Sequence, residues 1–171
     1  MIDMIARIMQ WLFPCFLSPK QDKVCRHVSC ILHWLFRFIL GGLFIYSGYI
    51  KVESPLKFEA VLHLYELFPN EYVRIIAQYF PWFEIALGLL LLIGFRWKIR
   101  YVAGVATALL LFFIAILAIT YFRGIEADCG CFGFDDPISP KTIARDSLML
   151  IPALYLLFVG PLLRRRLLTR P

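Results

Sequence analysis

The amino-acid sequence predicts an all-α integral membrane protein: a bundle of four transmembrane helices, with both termini in the cytoplasm and a short amphipathic helix in the first outer loop. Three observations carry this prediction. Hydrophobic residues make up 61% of the 171 residues, and the mean hydropathy is +0.75, whereas a soluble domain is about 45–50% apolar. The chain contains four long apolar runs. Its Lys and Arg residues flank these runs and are divided unequally between the two sides.

The four apolar runs are long enough to cross a bilayer, since a helix needs about 20 residues to span about 30 Å of hydrocarbon. The predicted spans cover residues 31–50, 75–95, 101–122 and 143–163. The first contains Arg37 and the second contains Glu84, whereas the third has no charge and the fourth begins with Arg145 and Asp146. Apolar and polar residues do not alternate along these runs, so they predict helices rather than the strands of a barrel.

The charged flanks predict the orientation, because Lys and Arg accumulate on the cytoplasmic side of membrane proteins. Eleven would lie on one side: Arg7, Lys20, Lys23, Arg26, Arg96, Lys98, Arg100, Arg164, Arg165, Arg166 and Arg170. Six would lie on the other: Lys51, Lys57, Arg74, Arg123, Lys141 and Arg145. We therefore expect the protein in the bacterial inner membrane, with both longer loops on the periplasmic side.

The first of these loops has the pattern of an amphipathic helix. Its apolar residues recur at helical spacing: Phe58, Val61, Leu62, Tyr65 and Phe68. Charged residues and His63 occupy the other face, while Pro55 and Pro69 stand where such a helix would begin and end. The pattern favours a short helix lying on the outer surface and covering the bundle. A simple connector is the alternative interpretation.

Residues 1–30 and 164–171 flank the predicted bundle of residues 31–163. The N-terminal extension fits a segment on the membrane surface or a disordered one, because Pro14 interrupts its apolar stretch and no cleavage site follows. It contains three cysteines to which we assign no role: Cys15, Cys25 and Cys30. The C-terminal tail is basic and typical of a topology anchor. No nucleic-acid-binding motif accompanies the net charge of +6.

Cys129 and Cys131 are separated only by Gly130, in the second outer loop. A disulfide between them would close a small, strained ring, and strain makes a disulfide easier to reduce. A structural disulfide usually closes a longer loop. On the oxidising side of the membrane, the pair therefore favours redox use. Asp128 would disfavour a thiolate and Arg145 would favour it, and the sequence leaves that balance open.

Two other interpretations of the cysteine pair stay open. The two cysteines, Asp128 and His63 could surround a zinc ion, although they form no complete metal motif. The cysteines could also share a tight turn by coincidence. Redox use is the main hypothesis, and we predict no metal site.

Glu84 is the second candidate. It lies about 14 Å inside the second span, near the bilayer midplane, where an unpaired charge costs several kcal/mol. The side chain should therefore face the bundle interior or be protonated. Arg37 in the antiparallel first span lies at a compatible depth and is the expected partner. A proton-handling or quinone-contacting role for Glu84 is the functional alternative.

A polar patch lies at the outer end of the first span: Tyr46, Ser47, Tyr49 and Lys51. We expect Lys51 to extend towards the headgroups and Tyr49 to belong to an aromatic belt. Arg145 and Asp146 should pair either with this patch or with the cysteine loop.

Three segments carry a resemblance to a known family: Gly-Leu-Phe-Ile-Tyr-Ser-Gly-Tyr-Ile-Lys at 42–51, Pro-Trp-Phe-Glu-Ile-Ala-Leu-Gly-Leu at 81–89 and Asp-Cys-Gly-Cys-Phe-Gly at 128–133. The last is the most specific, and the order and spacing of the three add weight. In these segments the chain resembles the DoxX superfamily and, within it, the branch of the methylamine-utilisation protein MauE. The resemblance extends from about residue 37 to the end of the fourth span.

The resemblance implies a four-helix membrane protein that works with periplasmic thioredoxin-like proteins. The MauE branch is linked to maturation of a disulfide-rich dehydrogenase subunit, and other relatives are associated with quinone-linked oxidation of sulfur compounds. At the matching positions, it implies that Cys129 and Cys131 form the redox pair and that Glu84 is the membrane carboxylate. It does not identify a substrate.

The main functional hypothesis is a membrane thiol–disulfide oxidoreductase that exchanges electrons between a thioredoxin-like partner and the membrane, with a quinone as one candidate carrier. It would support maturation of a periplasmic enzyme. One alternative is a non-enzymatic subunit that assembles or anchors a periplasmic protein. The other is a carrier for a small solute or metal ion, which is less favoured because no inverted repeat is evident.

Overall fold

A computed structural model of the protein describes residues 23–67, 69–93, 99–125, 127–130, 133 and 137–159, with side chains for residues 31–158 of these ranges. Its helices are α1 (Lys23–Glu53), α2 (Pro55–Tyr65), α3 (Asn70–Ile93), α4 (Ile99–Phe122), α5 (Pro140–Leu148) and α6 (Leu150–Leu154), followed by a π-helical turn, Tyr155–Val159. Three helices are long and apolar enough to cross a membrane: α1 over Ile31–Glu53, α3 and α4. The prediction of a helical membrane protein is confirmed to that extent.

The fourth predicted span is described as far as residue 159, and over these residues it is helical but interrupted. The hydroxyl of Ser139 accepts a hydrogen bond from the Thr142 amide at 3.3 Å, and Pro140 opens α5, as the sequence predicted. The helix is broken at Met149 between α5 and α6. Pro152 contributes to the interruption, because it has no N–H to donate to the carbonyl four residues earlier. A fourth membrane crossing therefore stays a prediction.

Helices α1 and α3 form the tightest pair, and glycines set their distance. A Cβ on Gly48 would lie 2.7 Å from the carbonyl oxygen of Pro81, and a Cβ on Gly88 would lie 2.7 Å from that of Gly41. Side chains larger than hydrogen would separate the two backbones at these points. Small residues have this use at helix interfaces in membranes, where packing replaces the hydrophobic effect as the force between helices.

Two clusters of buried side chains fill the interior. The first lies between α1, α3, α4 and the last turns: Leu40, Phe44, Leu87, Leu91, Ala103, Ala106, Ala153, Tyr155 and Leu156. The second lies at the end of the bundle that carries α2 and the loop after α4: Phe58, Val61, Leu62, Tyr65, Val73, Ala77, Ile116, Leu117, Ala127 and Cys129. We call this end the cysteine end and residues 123–139 the cysteine loop.

Helix α2 covers the cysteine end, so we call it the roof helix. Four of the five predicted apolar positions are buried: Phe58, Val61, Leu62 and Tyr65. The helix begins at Pro55 as predicted but ends at Tyr65, earlier than Pro69, since Glu66 adopts a left-handed conformation (φ 52°). The predicted helix is therefore confirmed, and it is a packed element rather than a connector. Its position on the outer surface of the membrane stays a prediction.

Several predictions fall outside the described residues. These concern the N-terminal extension up to residue 22 with Cys15, the side chains of Cys25 and Cys30, the fifth apolar position Phe68, the second loop cysteine Cys131, and the basic tail.

Candidate functional site

A fully buried ion pair joins α1 and α3 beneath the roof helix. The Lys51 ammonium lies 2.8 and 2.6 Å from the two carboxylate oxygens of Glu84, and each side chain is only 1% exposed. Lys51 also donates to the Ser47 hydroxyl at 2.7 Å, and that hydroxyl donates to Glu84 Oε1 at 3.3 Å. The three groups thus form a closed triangle in which every charge has a partner, as burial of charges requires.

Aromatic rings surround the ammonium on its remaining sides. Its nitrogen lies 5.4 Å from the ring centre of Phe58, 5.8 Å from that of Phe80 and 5.2 Å from that of Phe113. These distances are within the range of cation–π attraction, which grows when the cation is removed from water. The rings come from the roof helix, α3 and α4, so the charge of Lys51 holds three elements to α1.

This pair corrects two expectations. Lys51 does not extend to the headgroups, and Arg37 is not the partner of Glu84. The register of α1 against α3 explains the second error: Gly48 packs against Pro81 and Ile85, which places Ser47 rather than Arg37 beside Glu84.

Arg37 has a different role nearer the other end of the bundle. Its Nε and Nη2 donate to the carbonyl oxygens of Leu91 and Leu92, each at 3.0 Å. These carbonyls belong to the last turn of α3, where backbone oxygens have no partner within the helix. The guanidinium also lies over the ring of Trp34, 4.6 Å from its centre. Arg37 therefore caps α3, and it lies outside the candidate site.

The polar patch predicted on the first span is split by the helix. Ser47 and Lys51 face the interior, whereas Tyr49 and Tyr46 point away from the bundle, with Tyr46 54% exposed. Tyr46 was a predicted site residue, and the structure does not bring it together with Ser47, Lys51 and Glu84.

The cysteine loop brings Cys129 to the start of α5. The sulfur lies 3.7 Å from Asp146 Oδ2 and 3.9 Å from Arg145 Nη2, and Arg145 Nε donates to Asp146 Oδ1 at 3.2 Å. Cys129 is 3% exposed and Asp146 is 4% exposed. Of the two pairings that the sequence allowed for Arg145 and Asp146, the structure shows the one with the cysteine loop. Both polar groups touch the thiol sulfur.

The roof helix holds the cysteine loop through its last residue. The Tyr65 hydroxyl lies 3.0 Å from the carbonyl oxygen of Asp128 and 2.8 Å from that of Cys129. Gly130 has φ +63°, a conformation that side chains disfavour, and a Cβ there would lie 3.3 Å from Val61. Asp128 forms an isolated backbone bridge with Pro137, which closes the base of the loop. The glycine between the cysteines therefore allows the loop to turn beneath the roof helix.

One small pocket lies between the Lys51–Glu84 ion pair and the Cys129–Asp146 contact. Ser47 and Glu84 line it on one side and Asp146 on another, and the rest of its wall is apolar: Leu40, Leu43, Phe44, Leu110, Phe113, Ile114 and Met149. Its cavity volume is about 30 Å³, enough for one or two water molecules. The buried ion pair and the cysteine site thus share one internal space.

The zinc alternative includes Cys131, which lies outside the described residues. Within the part of the chain that the structure describes, no group of three or more His, Cys, Asp or Glu side chains is placed to hold a metal ion. His63, one of the suggested ligands, lies exposed, with Nδ1 3.2 Å from the side-chain oxygen of Asn70.

Sequence reasoning missed the burial of Lys51, although the sequence contained a signal for it. Apart from Gly41 and Gly48, the buried residues of α1 recur every three or four positions: Arg37, Leu40, Phe44, Ser47 and Lys51. This is the spacing of one helix face. Reading Lys51 as the last member of an apolar stripe, rather than as an isolated charge at a helix end, indicates a buried partner.

Comparison with known proteins identifies the family. A sequence model of the family described as "Methylamine utilisation protein MauE" matches residues 29–159, which include both loops and all of the described helices after residue 28. The chain belongs to the MauE family. This confirms the MauE part of the resemblance, and the wider DoxX assignment stays a prediction.

Relatives of this MauE-family chain carry two names. It is 32% identical over 125 residues to "Methylamine utilization protein MauE" of Paracoccus denitrificans and 30% identical over 127 residues to the protein of the same name in Paracoccus versutus. These matches cover 71% and 72% of this chain. "Protein TlpB" of Flavobacterium psychrophilum is 29% identical over 142 residues, 77% of this chain.

The chain spans 66% and 67% of the length of the two Paracoccus proteins and 38% of the Flavobacterium protein. No solved structure matches this chain. Family membership together with the three apolar helices makes this an integral membrane protein.

Proposed function

We propose that this protein is a membrane thiol–disulfide oxidoreductase that exchanges disulfides with a periplasmic thioredoxin-like protein through Cys129 and Cys131. The observation that carries the proposal is the setting of Cys129. A buried sulfur lies within hydrogen-bonding reach of both a carboxylate and a guanidinium, in a loop held by the roof helix. A thiol used only for packing would need neither group, since buried structural cysteines behave as small apolar side chains.

The proposed exchange is balanced by the two cysteines themselves. A thiolate of the pair attacks the partner's disulfide, which forms a mixed disulfide and releases one partner thiolate. The other cysteine then attacks the mixed disulfide, which forms the Cys129–Cys131 bond and releases the second partner thiolate. The partner gains two electrons and the pair loses two. The reverse sequence oxidises the partner, and the redox potentials of the two proteins set the direction.

The pocket beside Glu84 does not fit a quinone in this conformation. Its volume of about 30 Å³ is far below the roughly 300–1,000 Å³ of sites for ligands of that class. We therefore derive no step through a quinone. Glu84 and Lys51 instead hold the roof helix and α3 on α1, beneath the cysteine loop.

We further propose that the chain has four crossings, with the cysteine end on the periplasmic side of the inner membrane, and that it supports maturation of a periplasmic enzyme. The charge distribution supports the orientation. The names of the Paracoccus relatives make methylamine utilisation the first pathway to examine.

The test compares Cys129→Ser and Cys131→Ser with the unchanged protein in cells that produce it. Acid quenching followed by alkylation with a mass-tagged maleimide reports the redox states of the periplasmic thioredoxin-like proteins. Compared with the unchanged protein, we expect each single substitution to leave one of these thioredoxin-like proteins either more oxidised or more reduced, because both cysteines are needed for a full exchange.

Gly133→Ala is a matched control, since it changes the same loop where a Cβ would meet open space. It should leave the redox states unchanged. Normal cycling of every thioredoxin-like protein in both serine variants would refute the oxidoreductase and leave the role of an anchoring or assembly subunit.

A further inference from the structure

We infer that Asp146 is the general base that takes the proton from the Cys129 thiol when Cys129 resolves a mixed disulfide formed on Cys131. This inference rests on the proposed function and deepens it by assigning different roles to the two cysteines and a role to a carboxylate. Three observations carry it: the burial of Cys129, the contact of its sulfur with Asp146, and the way Arg145 holds that carboxylate.

Burial makes Cys129 unsuited to the first attack. At 3% exposure, its sulfur cannot be reached by the disulfide of a separate protein without displacement of the residues that bury it. A resolving cysteine has no such requirement, because its target is a sulfur two residues away in the same loop. The order of events is then attack by Cys131 on the partner and resolution by Cys129.

Resolution requires a proton acceptor, because the thiolate is the nucleophile. Burial separates the thiol from bulk water, so a carboxylate in contact with the sulfur is the most direct proton acceptor. Asp146 Oδ2 lies 3.7 Å from the sulfur, a distance at which a thiol can donate to an oxygen. Proton transfer gives a thiolate and a carboxylic acid. The thiolate attacks Cys131, the Cys129–Cys131 bond forms, and the partner leaves as a thiolate.

Arg145 orients the base and stabilises the product of the transfer. Its Nε donates to Oδ1 of Asp146, which leaves Oδ2 directed towards the sulfur. Its Nη2 lies 3.9 Å from the same sulfur, where a positive charge favours a thiolate. Arg145 is therefore a positioning residue, and Asp146 is the group that handles the proton.

The experiment follows resolution with Ellman's reagent, a small aromatic disulfide, on the full-length protein in detergent after replacement of Cys15, Cys25 and Cys30 by Ala. One equivalent reacts with Cys131 and releases a first coloured thiolate. Resolution by Cys129 releases the second in a unimolecular step. Cys129→Ala should release only the first, which identifies the second phase.

We expect Asp146→Asn to slow the second phase about 10²-fold at pH 6, the effect typical of a lost general base, while the first phase stays within about threefold. Asp146→Glu retains a carboxylate and should recover most of the rate. Glu59→Gln, which instead removes an acid from the roof helix, should behave like the parent.

The pH profile separates proton transfer from a structural role. In the parent, the second-phase rate should be nearly constant between pH 6 and 8, because the carboxylate takes the proton. In Asp146→Asn it should rise about tenfold per pH unit, as for a thiol that must lose its proton to solvent. Among the described residues, the other groups that face this site are Arg145, the Tyr65 hydroxyl, which binds the backbone of the cysteine loop, and Glu84 across the pocket with its partner Lys51. The Asn variant retains all of them.

Equal rates and equal slopes in parent and variant would overturn the inference. If Asp146 acted only through its negative charge, Asp146→Asn would speed the second phase rather than slow it, because removal of a nearby negative charge favours the thiolate. If the Asp146→Asn variant does not fold, the pH profile of the parent protein still tests the inference. A second-phase rate that rises tenfold per pH unit in the parent would contradict a base at Asp146. The proposed function is tested separately by the cellular redox states, so either claim can fail alone.

Discussion

At the residue scale, the most consequential group outside the cysteine loop is the ammonium of Lys51. It forms hydrogen bonds with Glu84 and Ser47 and lies among three aromatic rings, although it stands near the end of its helix. Removing one member of such a buried pair leaves an uncompensated charge, which typically costs about 3–5 kcal/mol.

Lys51→Met should therefore lower the free energy of unfolding by about 3–5 kcal/mol, because it leaves the Glu84 carboxylate buried without its counter-ion. Replacing both partners, Lys51→Met with Glu84→Leu, should recover most of this loss. The measurement is reversible unfolding of the detergent-solubilised protein by a denaturing detergent.

Lys141→Met is the control for the loss of one positive charge, since Lys141 is exposed. Its unfolding should match that of the parent. A Lys51→Met protein as stable as the control would mean that the ion pair does not hold α1 and α3 together.

The sequence identified Glu84, Lys51, Asp146 and Cys129 as candidates but paired Glu84 with the wrong cation. Depth along a span can be estimated from the sequence, because the helix rise is fixed. The rotation and register of one helix against another cannot, since they depend on close contacts such as that of Gly48 with Pro81.

The structure shows the helix α3 beginning at Asn70, earlier than predicted.

At the element scale, the glycines of α1 set the position of the ion pair. Gly48 lies between Ser47 and Lys51 in the chain and contacts the backbone of α3, whereas Gly42 meets open space. Two glycines of one helix thus provide a matched pair of substitutions.

Gly48→Ala should destabilise the protein by about 1–3 kcal/mol, because its Cβ would lie 2.7 Å from the Pro81 carbonyl oxygen and force the helices apart. Gly42→Ala should be neutral or stabilising by up to about 1 kcal/mol, since alanine favours the helix and meets nothing. Unfolding in detergent measures both. Equal effects of the two substitutions would contradict the packing described for α1 and α3.

The roof helix and the N-cap of α5 were predictable because their signals are local. The roof helix has apolar residues at helical spacing after Pro55, and α5 has Ser139 followed by Pro140. The break in the fourth helical segment was not foreseen. Pro152 was visible in the sequence, but prolines are tolerated in membrane helices where neighbours satisfy the freed carbonyl, so its effect depends on packing.

At the scale of the whole molecule, the distribution of Lys and Arg predicts that the cysteine end lies on the periplasmic side of the membrane. The cysteine end carries the roof helix and the loop of Cys129, and all connections at that end belong to one side of the predicted membrane. The oxidising environment that the proposed function requires exists on the periplasmic side.

Single cysteines introduced into a protein without the five natural ones test this orientation. Ala60→Cys, exposed on the roof helix, should react with a membrane-impermeant maleimide in intact spheroplasts. Thr169→Cys in the basic tail should react only after lysis, because an even number of crossings returns the chain to the cytoplasm. The reverse pattern would invert the orientation, and labelling of both sites in intact spheroplasts would require an odd number of crossings.

Trapping the exchange intermediate tests the central claim most directly. In cells that produce Cys129→Ala, the mixed disulfide on Cys131 cannot be resolved, so we expect a covalent complex that reductant dissolves and in which mass spectrometry identifies a periplasmic thioredoxin-like protein. The complex should be absent when Cys131 is also replaced by Ala. If neither Cys129→Ala nor Cys131→Ala forms such a complex, and the thioredoxin-like proteins keep their normal redox states in both, the cysteine pair does not exchange disulfides with a partner.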